Sequence, residues 1–316
     1  MNQFVKGTAL LVAATIWTGC GVQLEGEEGN LSFRYLGTEM TAGASAGTLA
    51  VGAKVDVEVR EAGGEDALAI AEAYSEAADV IDVIAREEMS FTLEAKEAGT
   101  ARIRAEARTG GETLEDSVEI QAAEAVSIEF RSRCTDDVFV TDSGAEFGFR
   151  LNDLSGRKLT GYGLYPAAVE PAEGGAVVTT GQKIDVLEVN TGSEAGIYEL
   201  VSELEGDNWS FQLVSPEQIE LVEINREDDE TVDQVEVGQE VGVAYFTMTA
   251  DSKTVCGPAR AAVELTTTTP EICQPSYRFL SSLHFVFVEG IAAGDCEVNL
   301  AVADTALEQS FTVQVQ

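Results

Sequence analysis

Among 316 residues the chain has one histidine, His284, and only 19 basic residues against 56 acidic ones, for a formal charge of −37. A serine or cysteine nucleophile needs a base, and the one imidazole available lies in an apolar run, Leu283-His284-Phe285-Val286, that reads as strand. Histidine-based zinc sites fail on that count, and no two cysteines stand in C-x-x-C spacing. The phosphate-cradling patterns G-x-x-x-x-G-K-[ST] and G-x-G-x-x-G do not occur. Lysine is scarce and no basic patch exists to displace counterions, so nucleic acid is excluded as a partner. The acidity is spread along the whole chain and forms no tail, and an anionic membrane surface would repel it. Tryptophan is nearly absent too: beyond Trp17 only Trp209 remains, which argues against a glycosidase cleft, although a pair among so many carboxylates stays formally open. No cofactor and no metal site is expected, and the chain reads as a non-enzyme.

Long apolar runs are also missing. The longest, residues 8–17 behind Lys6, is too short to span a bilayer and suits an export signal. It ends in Trp17-Thr18-Gly19-Cys20, which resembles the bacterial lipobox. That resemblance implies a signal peptide over residues 1–19, lipidation of Cys20 as the mature N-terminus, and, with Gly21 following, sorting to the outer membrane. An ordinary secretory signal with an incidental cysteine is the alternative. Two or more acyl chains hold a protein on a membrane stably. Residues 20–30, polar and glycine-rich, are expected to be a flexible tether.

What the chain has in abundance is alternation. Gly99, Gly196 and Gly294 each follow a small or acidic residue and open an alternating strand, and they stand 97 and 98 residues apart. Gly52, Gly144 and Gly238 precede further alternating strands in the same frame. Short strands with turn residues every 8 to 12 positions, in units of about 95 residues, indicate repeated β-sandwiches. One stretch, residues 67–84, is alanine-rich with Leu68, Ala71, Tyr74 and Ala77 at helical spacing; the repeat register assigns it to strands.

The pattern resembles tandem bacterial immunoglobulin-like domains, with Gly196-Ile197-Tyr198 similar to a tyrosine corner and Ala101 and Cys296 in the corresponding slots. The resemblance implies an all-β chain of three immunoglobulin-like sandwiches after a cleaved signal segment, at residues 31–122, 123–217 and 218–316.

Apart from Cys20, four cysteines in an exported chain allow three pairings. Matching the poles of adjacent sandwiches selects Cys134–Cys256 as an interdomain staple and Cys273–Cys296 within the third unit. With that staple, units two and three form a stiff pair while unit one swivels. Acidic runs at Asp136-Asp137, at residues 205–208 and at residues 227–230 raise calcium, but none has the D-x-[DN]-x-[DN]-G spacing. The tyrosine-rich loop at residues 161–165 stays open as a contact site. The function expected is a membrane-anchored spacer or protein-interaction platform in the cell envelope, held by its N-terminal lipid and meeting an envelope or extracellular protein. The alternative is an adhesin-like module binding glycans or another cell surface with calcium at the acidic loops.

Overall fold

The structure, a computed structural model, describes residues 22–37, 47–179, 181, 183–225, 233–256, 263–280, 283–302 and 307–316. Among them there is no α-helix; the chain is all-β, and its strands group into three successive sandwiches of nine strands each.

Unit one contains β1 (Gln23–Glu25), β2 (Leu31–Tyr35), β3 (Leu49–Ala50), β4 (Lys54–Glu61), β5 (Ala69–Ser75), β6 (Ile81–Arg86), β7 (Ser90–Ala95), β8 (Gly99–Thr109) and β9 (Glu112–Ala123). One sheet runs β1-β2-β4-β7-β6 and the other β3-β9-β8-β5, with β3 parallel to β9. Unit two contains β10 (Ser127–Arg131), β11 (Val138–Val140), β12 (Gly144–Asn152), β13 (Lys158–Leu159), β14 (Ala168–Glu170), β15 (Val177–Thr179), β16 (Val186–Asn190), β17 (Gly196–Val201) and β18 (Trp209–Val214). Unit three contains β19 (Ile219–Asn225), β20 (Asp233–Val235), β21 (Glu240–Thr249), β22 (Thr254–Cys256), β23 (Val263–Thr267), β24 (Cys273–Leu280), β25 (Leu283–Gly290), β26 (Gly294–Val302) and β27 (Glu308–Val315). Each unit repeats the arrangement: the first, second, fifth and fourth main strands in one sheet, and the third, sixth and seventh in the other. A short parallel strand closes the second sheet in every unit. This is the strand order of an immunoglobulin-like sandwich.

Alternation builds the cores. Val55, Val57 and Val59 of β4 are fully buried between polar neighbours, and Ala145, Phe147, Phe149 and Leu151 do the same along β12. In unit two Phe147 and Phe211 lie 5.0 Å apart centroid to centroid, and Tyr198 stacks on Phe211 at 5.8 Å. The Tyr198 hydroxyl donates to the Glu194 carbonyl at 2.9 Å, so the tyrosine corner is present. Unit one has Ala101 in that slot. Unit three has Cys296, bonded to Cys273 across the sandwich with both residues fully buried.

The three corner glycines are the first residues of β8, β17 and β26. Gly99 and Gly294 need a positive φ, and a Cβ on Gly294 would stand 2.8 Å from Ile272 Cδ1. The earlier landmarks are only partly equivalent. Gly52 and Gly238 take positive φ before β4 and β21, but in unit two that conformation belongs to Asp142, two residues before Gly144.

The alanine-rich stretch forms strands β5 and β6, joined by a turn at residues 76–80. β5 pairs along β8 from Ala69 opposite Arg108 to Ser75 opposite Ile103, and β6 pairs with β7. Backbone pairing to a long neighbour outweighs an intrinsic preference worth tenths of a kcal/mol per residue.

The expected tether over residues 20–30 is in large part folded; Cys20 and Gly21 lie outside the described residues. β1 pairs antiparallel with β2, Gln23 opposite Arg34 and Glu25 opposite Ser32. The loop that follows wraps around the buried carboxylate of Asp116, which accepts the backbone N–H of Glu28 (2.8 Å), Asn30 (2.7 Å), Leu31 (2.9 Å) and Ser117 (2.8 Å). Gly26 passes so close to this carboxyl that any Cβ there would overlap it. Burial raises the Asp116 pKa, and the hydrogen bonds with the Glu28 side chain and with these N–H groups outweigh it and hold it down at about 2. A composition that suits a linker suits equally a tight loop around an anion.

Candidate functional site: the two joints between units

Both joints are built from one device. After its second main strand, each unit turns through a short hairpin and lays a return strand beside it. Ala67 opposes Arg60 in unit one, β13 pairs β12 in unit two, and β22 pairs β21 in unit three. Gly63, Gly156 and Ser252 take positive φ in these three turns. In units two and three the return strand then runs parallel against the short edge strand of the preceding unit.

At the joint of units one and two, Thr160 lies parallel to Leu49. Ala50 N–H donates to Thr160 O and Thr160 N–H to Thr48 O, each at 2.9 Å. Two residues on, Lys54 and Tyr162 exchange N–H to carbonyl bonds at 2.8 Å. The Tyr162 side chain packs into the core of unit one and donates to Asp56 Oδ1 at 3.0 Å, an oxygen that also accepts Thr92 Oγ1 at 2.6 Å. Burial, then the Asp56 hydrogen bond and charge, push the Tyr162 hydroxyl up to about 12. The tyrosine-rich loop left open as a contact site is therefore, at Tyr162, an internal clasp. Unit one is held by paired backbone and a buried tyrosine, so the expectation that it swivels is corrected.

At the joint of units two and three, β22 lies parallel to β11 with Val255 opposite Val138 and Cys256 opposite Phe139. This joins a sheet of unit two to a sheet of unit three as one nine-stranded sheet. Cys134 and Cys256 are disulfide-bonded with Cα atoms 5.9 Å apart. The geometry differs from pole matching: the hairpin of unit three overlaps the side of unit two. Lys253 Nζ reaches Gln212 Oε1 at 3.1 Å, and Thr254 N–H donates to Asp136 Oδ2 at 2.8 Å. Val138, Val140 and Val214 of unit two pack into the core of unit three. An edge strand is an open template for pairing, and covering it with the next unit removes that liability. On β20 of unit three, Gln234 is exposed and polar, as is the adjoining Glu236, where β11 buries Val138 and Val140.

The acidic runs find other partners. Asp137 accepts Ser132 Oγ at 2.6 Å and Trp209 Nε1 at 3.1 Å, and burial raises its pKa against those two hydrogen bonds. Trp209 is half-buried beside the unit-two core, not a flat exposed platform. Glu205 bonds through its backbone to Val126 and Ile128. Residues 227–230 lie outside the described residues. Among the described residues no group of three or more His, Cys, Asp or Glu side chains is placed to hold a metal ion. His284 lies in β25, in register with Tyr245 and Phe279. Gly43-Ala44-Ser45-Ala46-Gly47 has the G-x-S-x-G spacing, but that motif belongs to a strand-to-helix turn, whereas Gly47 leads into β3; residues 43–46 lie outside the described residues.

No family model and no curated protein matches the chain. Solved structures that align with it include surface-layer protein SbsC domains 4–9, at 17% identity and a TM-score of 0.26 over 93% of this chain and 48% of that one. The Escherichia coli adhesin FdeC aligns at 14% identity and 0.28, over 86% and 95%. Invasin, a bacterial integrin-binding protein, aligns at 12% and 0.25, over 90% and 60%. The chain spans about half the length of the SbsC fragment. Likeness at this level carries no argument, and the fold rests on the strand order itself.

Gly161 sets how closely the first joint can close. Its φ is +121°, and a Cβ there would stand 2.6 Å from Ala53 Cβ and 3.1 Å from the Lys54 carbonyl. Gly161→Val is expected to weaken the joint by about 2–3 kcal/mol. In hydrogen exchange the Lys54 and Tyr162 amides should lose protection while those of β17 and β18 keep theirs. Unchanged protection at Lys54 would mean the clasp does not depend on this approach.

Proposed function

We propose that this is an exported, lipid-anchored, non-enzymatic spacer of the bacterial envelope, whose three sandwiches act as one stiff body. Cys20 carries the lipid at the outer membrane, and a further envelope or extracellular protein meets the exposed surface. The observation that carries the reading is the repeated overlap at the joints. Domains on free linkers keep no fixed relative orientation, whereas strands laid along a neighbour's edge, with shared apolar side chains and, at the second joint, a disulfide, hold one.

A second reading, an adhesin-like module, has one observation in its favour. A groove of about 700 Å³ lies along the end strand β14, lined by Tyr165, Pro166, Glu170, Val201 and Leu204 among others. Open sheet edges accept extended partner segments. Calcium has less support at Asp136 and Asp137, whose carboxylates already take protein donors.

Protease treatment of intact cells, with Cys20→Ala beside the native protein, tests the proposal. The native chain should fractionate with the membrane and the variant should be released. Cleavage from outside would favour surface display and a search for external partners; protection would favour the periplasmic face. Identical soluble behaviour of the two would remove the anchor.

A further inference from the structure

We infer that the chain leaves unit one on its flank, near the joint with unit two, so that a lipid on Cys20 holds unit one side-on to the bilayer instead of standing it on its free end. The membrane as partner rests on the anchor reading above; the geometry has its own grounds.

The first described residue, Val22, accepts the Tyr35 N–H at 2.9 Å. Tyr35 lies opposite Val57, three residues along β4 from Lys54, which is bonded to Tyr162 of unit two. Three strand residues are about 10 Å. Leu24 of β1 and Arg157 of the unit-two hairpin line the same groove of about 340 Å³, which places β1 beside that hairpin independently. From this point β1 runs away from unit two, turns around Asp116 and returns as β2.

The free end of unit one is the hairpin joining β8 and β9, with Thr109 opposite Glu112. Four residues of β2 separate Tyr35 from Leu31, which bonds Asp116, and four residues of β9 separate Asp116 from Glu112. At about 3.3 Å per residue, the tip lies roughly 25–30 Å beyond Val22. One residue, Gly21, stands between Cys20 and Val22. Two residue steps reach at most about 7 Å. A lipid on Cys20 thus cannot come level with the tip while β1 stays docked, and the tip, bearing Arg108, Glu112 and Glu115, does not enter hydrocarbon. The bilayer meets the flank at β1. An upright stance would need β1 stripped from β2 and the Asp116 carboxylate emptied of its N–H donors.

The test couples the chain from Cys20 to Gln316, through the Cys20 thiol, to a maleimide lipid in a supported phosphatidylcholine bilayer. The other four cysteines are in disulfides, which leaves one thiol. Neutron reflectometry then gives the extent of the protein layer, beside a variant with ten Gly/Ser residues inserted between Gly21 and Val22. Three sandwiches in line would stand on the order of 100 Å tall at 30–40 Å each. The native layer should stay well below that height, and the insertion, whose ten Gly/Ser residues span about 16–19 Å on average, should raise it by about 15 Å. A native layer already at the upright height, or equal layers for both proteins, overturns the inference. Chemical coupling keeps the result independent of acylation in cells, so failure of the Cys20→Ala fractionation would remove the anchor reading and not this geometry.

Discussion

Replacing Asp116 by alanine should destabilise unit one by about 3–5 kcal/mol, because a buried N–H left without an acceptor costs about 1–3 kcal/mol and four of them converge on this carboxylate. Asp116→Asn keeps one acceptor oxygen and should lose less. The same group makes stability pH-dependent. Its carboxyl titrates lower in the folded state, at about 2, than in an unfolded chain, at about 4. Its contribution, on the order of 2 kcal/mol, is therefore complete above about pH 4 and is lost as the pH falls from there through about 2. Urea midpoints of the native chain, followed by loss of Val22–Asn30 exchange protection, should drop across that window, and those of Asp116→Asn should drop less. Parallel pH profiles for the two proteins would show that the loop, and not the carboxylate, holds the N-terminal segment.

Removing the Cys134–Cys256 bond as a double serine variant should cost about 5 kcal/mol in the chain-entropy account, since 122 residues separate the two cysteines. The loss should appear as uncoupling. Units two and three should melt together in the native chain and separate into two calorimetric transitions once only strand pairing and the Val138, Val140 and Val214 contacts join them. The Cys273–Cys296 pair is the control. Its 23-residue separation predicts about 3 kcal/mol, confined to unit three. A single unchanged transition after loss of the first bond would mean that the overlapping strands alone couple the units.

Local features were legible in the residues. The glycine that opens each sixth main strand marks a real corner, and at Gly99 and Gly294 it is needed because positive φ is a property of one residue and its nearest neighbours. Val55, Val57 and Val59, or Phe147, Phe149 and Leu151, reveal the strand and its buried face because alternation is set by the pleat. Tyr198 reads as a corner tyrosine because its acceptor, Glu194, is four residues away. The hairpins at Gly63, Gly156 and Ser252 also left a local trace in turn residues, but nothing local says that the strand after the turn will serve the previous unit.

By itself the sequence determined an acidic, all-β chain of repeated sandwiches, with strand positions and corners set by short-range sterics and alternation. Apart from the Cys134–Cys256 staple, only the tertiary structure decided how one unit meets the next. Tyr162 pairs with Lys54 and Val255 faces Val138, each across more than a hundred residues of chain. Those joints are made largely by backbone hydrogen bonds at strand edges. Every residue but proline carries the same N–H and C=O, so backbone pairing does not name its partner; side chains mark only which edge is covered, apolar at Val138 and Val140 on β11 and polar at Gln234 and Glu236 on β20.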